Sequence, residues 1–171
     1  MKKIKTQFKD LYIFQSENHF DKRGFFRELI IEKMVKSKFK VFVVSKSKKN
    51  VLRGLHFQLN NPQGKYLSVI KGKIFDVAVD CRPKSKTFGK FFKIILSDKN
   101  CKSIFIPPGF AHGFVGINTE NIVVYGCTNY RDKKSESGII WNDPFLKIKW
   151  PVKKPIISHK DNMNKSFEFY F

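Results

Sequence analysis

Short apolar runs rich in Val, Ile and Phe recur along the whole chain, each broken after a few residues by Gly, Pro, Asn or Asp, while helical periodicity is scarce. The runs predict strands near Tyr12–Phe14, Phe39–Lys46, Leu52–Phe57, Lys65–Lys71, Lys73–Arg82, Phe91–Leu96, Ser103–Ile106, Phe114–Asn118, Ile122–Thr128 and Ile148–Trp150. Gly72, between two strong runs, predicts a tight hairpin. Segment Phe25–Ser37 mixes helix formers with apolar residues and predicts a short helix ahead of the main strands. The pattern as a whole is all-β with few helices. Antiparallel strands in this number close into a jelly roll or barrel, because closure or double-sheet packing hides the strand edges. Small jelly rolls hold a ligand in the barrel mouth.

Composition bounds this picture. A chain of 171 residues falls within the size of one domain, with no internal repeat or linker, so residues 1–171 are expected to form a single unit. With 42% hydrophobic residues there is material for a core, which argues against disorder despite the many lysines. The formal net charge of +20 raises nucleic acid as a partner, since clustered Lys and Arg neutralise phosphates. The lysines are instead scattered, often alternating with apolar residues as in Lys147-Ile148-Lys149, which is how the solvent face of a strand looks. The stronger expectation is no nucleic acid, with a positive field that favours a phosphate-bearing small substrate. Cys81, Cys101 and Cys127 are odd in number and form no CxxC pair, so they are expected to be buried free thiols. No segment approaches the ~20 apolar residues of a membrane span, and the amino terminus lacks an apolar stretch of signal-peptide length. The expected compartment is the cytoplasm, with no membrane partner.

Four segments place polar residues inside otherwise apolar runs: Arg53-Gly-Leu-His56-Phe-Gln58, Gln63-Gly-Lys65, Pro107-Pro-Gly-Phe-Ala-His112-Gly and Val124-Tyr125. Residues i and i+3 of a strand point to opposite faces, so Arg53 and His56 meet in one cavity only if Gly54 bends the strand. A lone His in a strand is commonly a core residue satisfied by a hydrogen bond. A cavity that also holds Arg, Lys and Tyr has no packing rationale, because unpaired buried charges must be compensated. Such a set suits proton abstraction next to a carbonyl, with a neutral His as base, a fixed cation on the enolate oxygen and a Tyr hydroxyl to reprotonate carbon. The competing reading is a metal-binding cupin, because Pro107-x-Gly109-x-x-His112 resembles the second metal motif of that superfamily. Its first motif supplies His-x-His and a later Glu. Here the run is His56-Phe57-Gln58 and no Glu follows in the next strand, so no metal and no other cofactor is expected.

Ordered along the chain are Phe20-Asp-Lys-Arg23-Gly-Phe-Phe-Arg-Glu28, Asn50-Val-Leu-Arg-Gly-Leu-His-Phe-Gln58, Gln63-Gly-Lys65, Ile74-Phe-Asp-Val-Ala-Val-Asp80, Ile106-Pro-Pro-Gly-Phe-Ala-His-Gly-Phe114, Trp141-Asn-Asp-Pro144 and His159-Lys-Asp161. On these motifs the chain resembles the dTDP-4-dehydrorhamnose 3,5-epimerase family, which inverts two carbons of a 4-keto-6-deoxy sugar in dTDP-L-rhamnose synthesis. The resemblance implies a cupin-type jelly-roll barrel with a short amino-terminal arm. It implies His56 as catalytic base, Asp161 as the carboxylate that orients it, and Tyr125 as general acid. It also places Lys65 and Arg53 as cations around the ketone oxygen and the diphosphate, and His112 as a substrate contact. Arg23 and Glu28 resemble arm residues that help bind the nucleotide, and Glu136 and Lys160 match further substrate-binding positions. Glu28, Glu136 and Lys160 also admit a reading as solvated surface charges. The implied partners are a nucleotide-diphosphate 4-keto sugar and a second copy of the chain, with the arm crossing between subunits of a homodimer.

Two departures touch base recognition and leave the proton-transfer positions intact. Val41-Phe42-Val43 stands where the family commonly has Gln-x-Asn, and Arg131 stands where a second aromatic often follows Tyr130, although a guanidinium can also stack. Three variants of the epimerase reading therefore stay open: inversion at both carbons, at carbon 3 or 5 alone, and action on another nucleotide. A non-catalytic sugar-binding cupin predicts no solvent exchange at carbon, and a basic nucleic-acid-binding barrel predicts a steep salt dependence of affinity.

Overall fold

The computed structural model describes residues 1–171. Two stacked antiparallel sheets form a cupin-like jelly roll. The strands of the first are β1 (Lys2–Lys5), β2 (Tyr12–Gln15), β5 (Val41–Lys48), β7 (Lys65–Lys71), β10 (Lys102–Ile106) and β12 (Glu120–Cys127). They lie in the order β1-β2-β10-β7-β12-β5. The second sheet comprises β6 (Leu52–Gln58), β8 (Lys73–Asp80), β9 (Phe91–Ser97), β11 (Phe110–Gly116) and β13 (Glu136–Gly138). Its order is β13-β6-β11-β8-β9. A separate hairpin pairs β3 (His19–Asp21) with β4 (Gly24–Phe26), and the helices α1 (Glu32–Val35), α2 (His159–Asn162) and α3 (Phe167–Tyr170) are one turn each. None of these helices is long and apolar enough to cross a membrane.

Strand alternation sorts the side chains into three clusters. Leu67, Val69, Ile104, Ile106 and Val123 of the first sheet meet Ile74, Ala78, Leu96, Phe110 and Phe114 of the second between the layers. The opposite face of the second sheet offers Leu52, Leu55, Phe57, Val77, Val79 and Val115, which the carboxy-terminal segment covers with Leu146, Ile148, Trp150 and Phe167. A smaller cluster of Phe14, Tyr66 and Phe105 on the back of the first sheet is roofed by Val35 of α1. The three cysteines are buried and free.

Strand β7 has the bounds the alternation predicts, but other expectations are corrected. Gly72 does not close a hairpin: β7 and β8 lie in different sheets, so Gly72 is the corner where the chain crosses from one to the other. Its φ of +88 suits glycine, and a Cβ there would run into the carbonyl oxygen of Glu120. Ile148–Trp150 is no strand. Its alternation of buried and exposed residues arises because Ile148 and Trp150 plug into the second cluster, while the backbone joins no ladder. The helix expected across Phe25–Ser37 shrinks to Glu32–Val35, because Gly24–Phe26 pairs as β4 instead. Strand β11 starts at Phe110 rather than Phe114, since all seven of its residues are buried and none alternates.

At the Gly72 corner, Gly72→Ala is expected to lower stability by about 2–4 kcal/mol, since both the left-handed backbone and the neighbouring carbonyl resist a methyl group. Urea denaturation of the purified variant reads the loss. A midpoint within error of the wild type would show that the corner relaxes freely.

Candidate active site

Strands β5, β7 and β12 of one sheet and β6, β11 and β13 of the other enclose a cavity of about 610 Å³, within the range of small-molecule sites. His56 and Arg53 both line it, three residues apart on β6. The register explains how. Arg53 pairs with Phe114 and His56 with His112, so three steps on β6 oppose two on β11, which is a bulge of one residue. Gly54 occupies the bulge with φ +118, and a Cβ on it would stand 2.5 Å from Gly113 Cα and 2.6 Å from the His112 carbonyl oxygen. Only glycine lets the two strands approach this closely, and the bulge turns both side chains into one space.

His56 Nε2 lies 2.8 Å from Asp161 Oδ1, and Asp161 Oδ2 accepts the Gly54 N–H at 3.0 Å. Asp161 sits in the first turn of α2, where its own N–H donates to the Ser158 hydroxyl that caps the helix. Burial alone would raise the Asp161 carboxyl, but the bonds from His56 and Gly54 and the charge on His56 outweigh it and hold the group below its ordinary range. An ionised carboxylate only accepts, so Nε2 is the donor in this bond, and in the neutral ring Nδ1 is the nitrogen with a free lone pair.

Tyr125 reaches the same cavity from β12, with its hydroxyl donating to Ser45 on β5. Burial raises the phenol above its ordinary value, against smaller opposing effects of Ser45 and Arg53, so it carries its proton at neutral pH. Lys65, on β7, presents an ammonium that makes no ion pair. Burial pulls it down from its ordinary value, and the nearby carboxylates of Glu136 and Asp76 push back. Arg53 is tethered by Nε to Ser47 at 3.0 Å and by Nη2 to the Lys46 carbonyl at 3.1 Å. His112 is buried opposite His56, its Nε2 2.8 Å from Asp76 Oδ2.

Glu136 on β13 binds Arg131 at 2.7 Å and Lys160 of α2 at 2.6 Å, so neither Glu136 nor Lys160 is a free surface charge. Burial raises Glu136, but those two cations outweigh it and bring the carboxyl down to about 2. Arg23 and Glu28 do not join the cavity. Arg23 is exposed on the β3–β4 hairpin, bound to Asp21 of the same turn, and Glu28 is exposed as well. Gln58, the residue at issue for a metal site, is buried with its amide engaged by the Asn61 carbonyl and the Asp132 N–H, where it joins two loops. No three His, Cys, Asp or Glu side chains gather as a ligand set, and both cavity histidines engage a carboxylate through Nε2. Sequence reasoning missed Ser45 and gave Asp76 no role. Ser45 carried no motif at all, and Asp76 stood within the Ile74–Asp80 motif with no role attached to it.

A family model described as dTDP-4-dehydrorhamnose 3,5-epimerase matches residues 5–168. The chain is 43% identical over 174 residues to the dTDP-4-dehydrorhamnose 3,5-epimerase of Shigella flexneri, covering 98% of this chain and 96% of that one. It is 44% identical to the enzyme of the same name from Methanothermobacter thermautotrophicus, over 92% and 90% of the two chains. Among solved structures, the dTDP-6-deoxy-D-glucose-3,5-epimerase of Legionella pneumophila in complex with dTDP-4-keto-L-rhamnose superimposes with a TM-score of 0.93 at 40% identity, covering 98% of this chain and 93% of that one.

The depressed Glu136 carboxyl has a consequence with a definite sign. Its contribution to stability is present above its ordinary value of 4.5 and is lost as pH falls from there toward about 2. Glu136→Gln is therefore expected to be less stable than wild type by about 1 kcal/mol at neutral pH, the gap closing in acid. Thermal melts of both proteins between neutral pH and pH 2.5 check this, and a pH-independent difference would assign the effect to packing.

Proposed function

This chain belongs to the dTDP-4-dehydrorhamnose 3,5-epimerase family, and we propose that it inverts carbons 3 and 5 of dTDP-4-dehydro-6-deoxy-D-glucose by proton transfer. What supports the reading is one arrangement: the His56–Asp161 pair, the Lys65 ammonium and the Tyr125 hydroxyl line one cavity. Carbons 3 and 5 both flank the C4 ketone, so one chemistry serves either. The lone pair on His56 Nδ1 takes the carbon-bound proton, and the bonding electrons move to the C4 oxygen as an enolate. Asp161 stabilises the imidazolium that forms. Lys65 balances the enolate charge in a pocket where burial makes a single cation count. Tyr125 then gives its proton to carbon from the opposite face, the configuration inverts, and both side chains regain their starting states through solvent. Arg53, and Lys160 with Glu136 at the rim, provide the polar contacts for the diphosphate and the sugar.

The arm completes the proposal. Hairpin β3–β4 belongs to neither large sheet, and its Phe20, Phe25 and Phe26 are 75%, 56% and 67% exposed. An aromatic patch of this kind on a segment bearing Arg23 and Glu28 is suited to docking on a second copy of the chain, placing those two residues at the partner's cavity as an isologous exchange. The assembly is then a homodimer.

Both halves have direct tests. In deuterated water with the dTDP-linked 4-keto sugar, wild type is expected to place deuterium at carbons 3 and 5. His56→Ala should lose exchange at both by ~10²- to 10⁴-fold. Tyr125→Phe should lose net inversion more than exchange, because the phenol is not needed to form the enolate. Near-full turnover in His56→Ala would remove the base from its assigned role. For the arm, mixing inactive Arg23→Ala and His56→Ala dimers under exchange conditions should restore activity in part, and mixed dimers without regained activity would leave Arg23 acting in its own chain.

A further inference from the structure

His112 repeats, on the neighbouring strand, the bonding of the His56 ring. It pairs in register with His56, and its Nε2 is bound to a carboxylate that comes from a third strand, Asp76 on β8. Asp76 is fully buried, and its second oxygen, Oδ1, has no hydrogen-bond partner. A carboxylate closed off from water with one oxygen unpaired is unfavourable as a packing element, and an apolar residue would suit its same-face neighbours Ile74 and Ala78 and its cross-strand partner Phe114 better. Its charge instead bears on the cavity. It favours the protonated forms of both Lys65 and Tyr125, the two groups that must hold protons for the chemistry.

The groups facing Lys65 show why Asp76 matters among them. Tyr125 and Cys127 line the cavity with it from β12, Arg53 and His56 from β6, His112 from β11, and Glu136, Tyr130 and Arg131 from β13 and the loop before it. Glu136 is already held by two cations, and Asp161 by His56. Cys127 is raised by burial and stays a thiol. Asp76, which binds only His112, is thus the carboxylate whose charge is least committed elsewhere.

We propose that Asp76 is a positioning residue for the reaction: its bond to Nε2–H of His112 fixes that ring in the cavity wall and leaves Nδ1 bare to accept a sugar hydroxyl. The proposal rests on the epimerase reading above. Without the negative charge, Lys65 and Tyr125 lose their protons more easily, so activity fails at lower pH.

The test compares wild type with Asp76→Asn, which keeps shape and removes charge, in the same deuterium-exchange assay. We expect kcat to fall ~10-fold or more with KM changed less than about twofold, and the alkaline limb of the kcat–pH profile to move to lower pH. A folded variant with unchanged kcat and an unmoved limb, or one that merely melts earlier, would overturn the proposal. Should Asp76→Asn not fold, ¹⁵N spectra of the wild-type imidazoles decide: His112 is expected as the Nε2–H tautomer with bare Nδ1, and the reverse tautomer would overturn it. Absence of exchange in wild type would fail the epimerase reading itself, an outcome distinct from a wild type that exchanges and a variant that behaves like it.

Discussion

Asp161 spends its two oxygens on two places in the same strand, Oδ1 on the His56 ring and Oδ2 on the N–H of Gly54. The second bond satisfies a backbone donor that the bulge removes from the β6–β11 ladder. One buried carboxylate therefore both fixes the ring and holds the backbone distortion that aims it. This works only because Gly54 and Gly113 let the strands nearly touch, and because the carboxy-terminal segment returns across the second sheet to deliver α2. That return is anchored by Leu146, Ile148, Trp150 and Phe167 in the second apolar cluster and by the short bridge between Val51 and Ile156. The placement of the His56 ring thus depends on apolar burial far along the chain, and loosening that wrap would free the ring before it touched the central strands.

The charges around the cavity follow a common logic. The carboxylates at the cavity each engage a side-chain partner: Asp161 engages His56, Asp76 engages His112, and Glu136 engages both Arg131 and Lys160, as Asp80 outside the site engages Arg82, Ser85 and Thr87. Lys65 is the exception, an ammonium on a central strand with burial working against its charge. An anion arriving in the cavity relieves that situation, which is the condition for a cation to interact more strongly with a developing enolate than with a neutral ketone. The net charge of +20 over the whole chain adds a long-range attraction for a diphosphate without specifying where it goes.

Most of this was legible in the sequence for a physical reason. Strands buried on one face write a period of two, so most core strands emerged with bounds close to those observed, β11 excepted because every one of its residues is buried, and polar residues interrupting the strands marked the cavity. Gly54 could be read as a necessary bend because Arg53 and His56 are an odd number of residues apart. What was illegible depended on partners rather than on local pattern. Gly72 looks the same whether the next strand folds back beside β7 or crosses to the other sheet, and only the ladder decides. Ile148 and Trp150 alternate with lysines as a strand would, because alternation reports which side is buried and says nothing about hydrogen bonds. The link from Asp161 to Gly54 spans more than a hundred positions and follows from no spacing rule, and Ser45 gains its place only because β5 pairs with β12.

The division of labour between strands explains why the departures from the family pattern fall where they do. His56, Lys65, His112 and Tyr125 stand on strands with neighbours on both sides, so their backbones are fixed by ladders and their side chains by facing residues. Val41 and Val43 line the cavity from β5, the edge strand of the first sheet, and Tyr130 and Arg131 line it from the loop between β12 and β13. A substitution at those outer positions changes what the wall offers a ligand while leaving the inner ladders undisturbed. Arg131 illustrates the point. It leaves the proton-transfer groups as they are, yet it supplies one of the two cations that hold Glu136 at the rim. Changes at the mouth can thus alter what the wall offers a ligand without moving the interior side chains, so the rim is free to vary on ladders that the interior fixes.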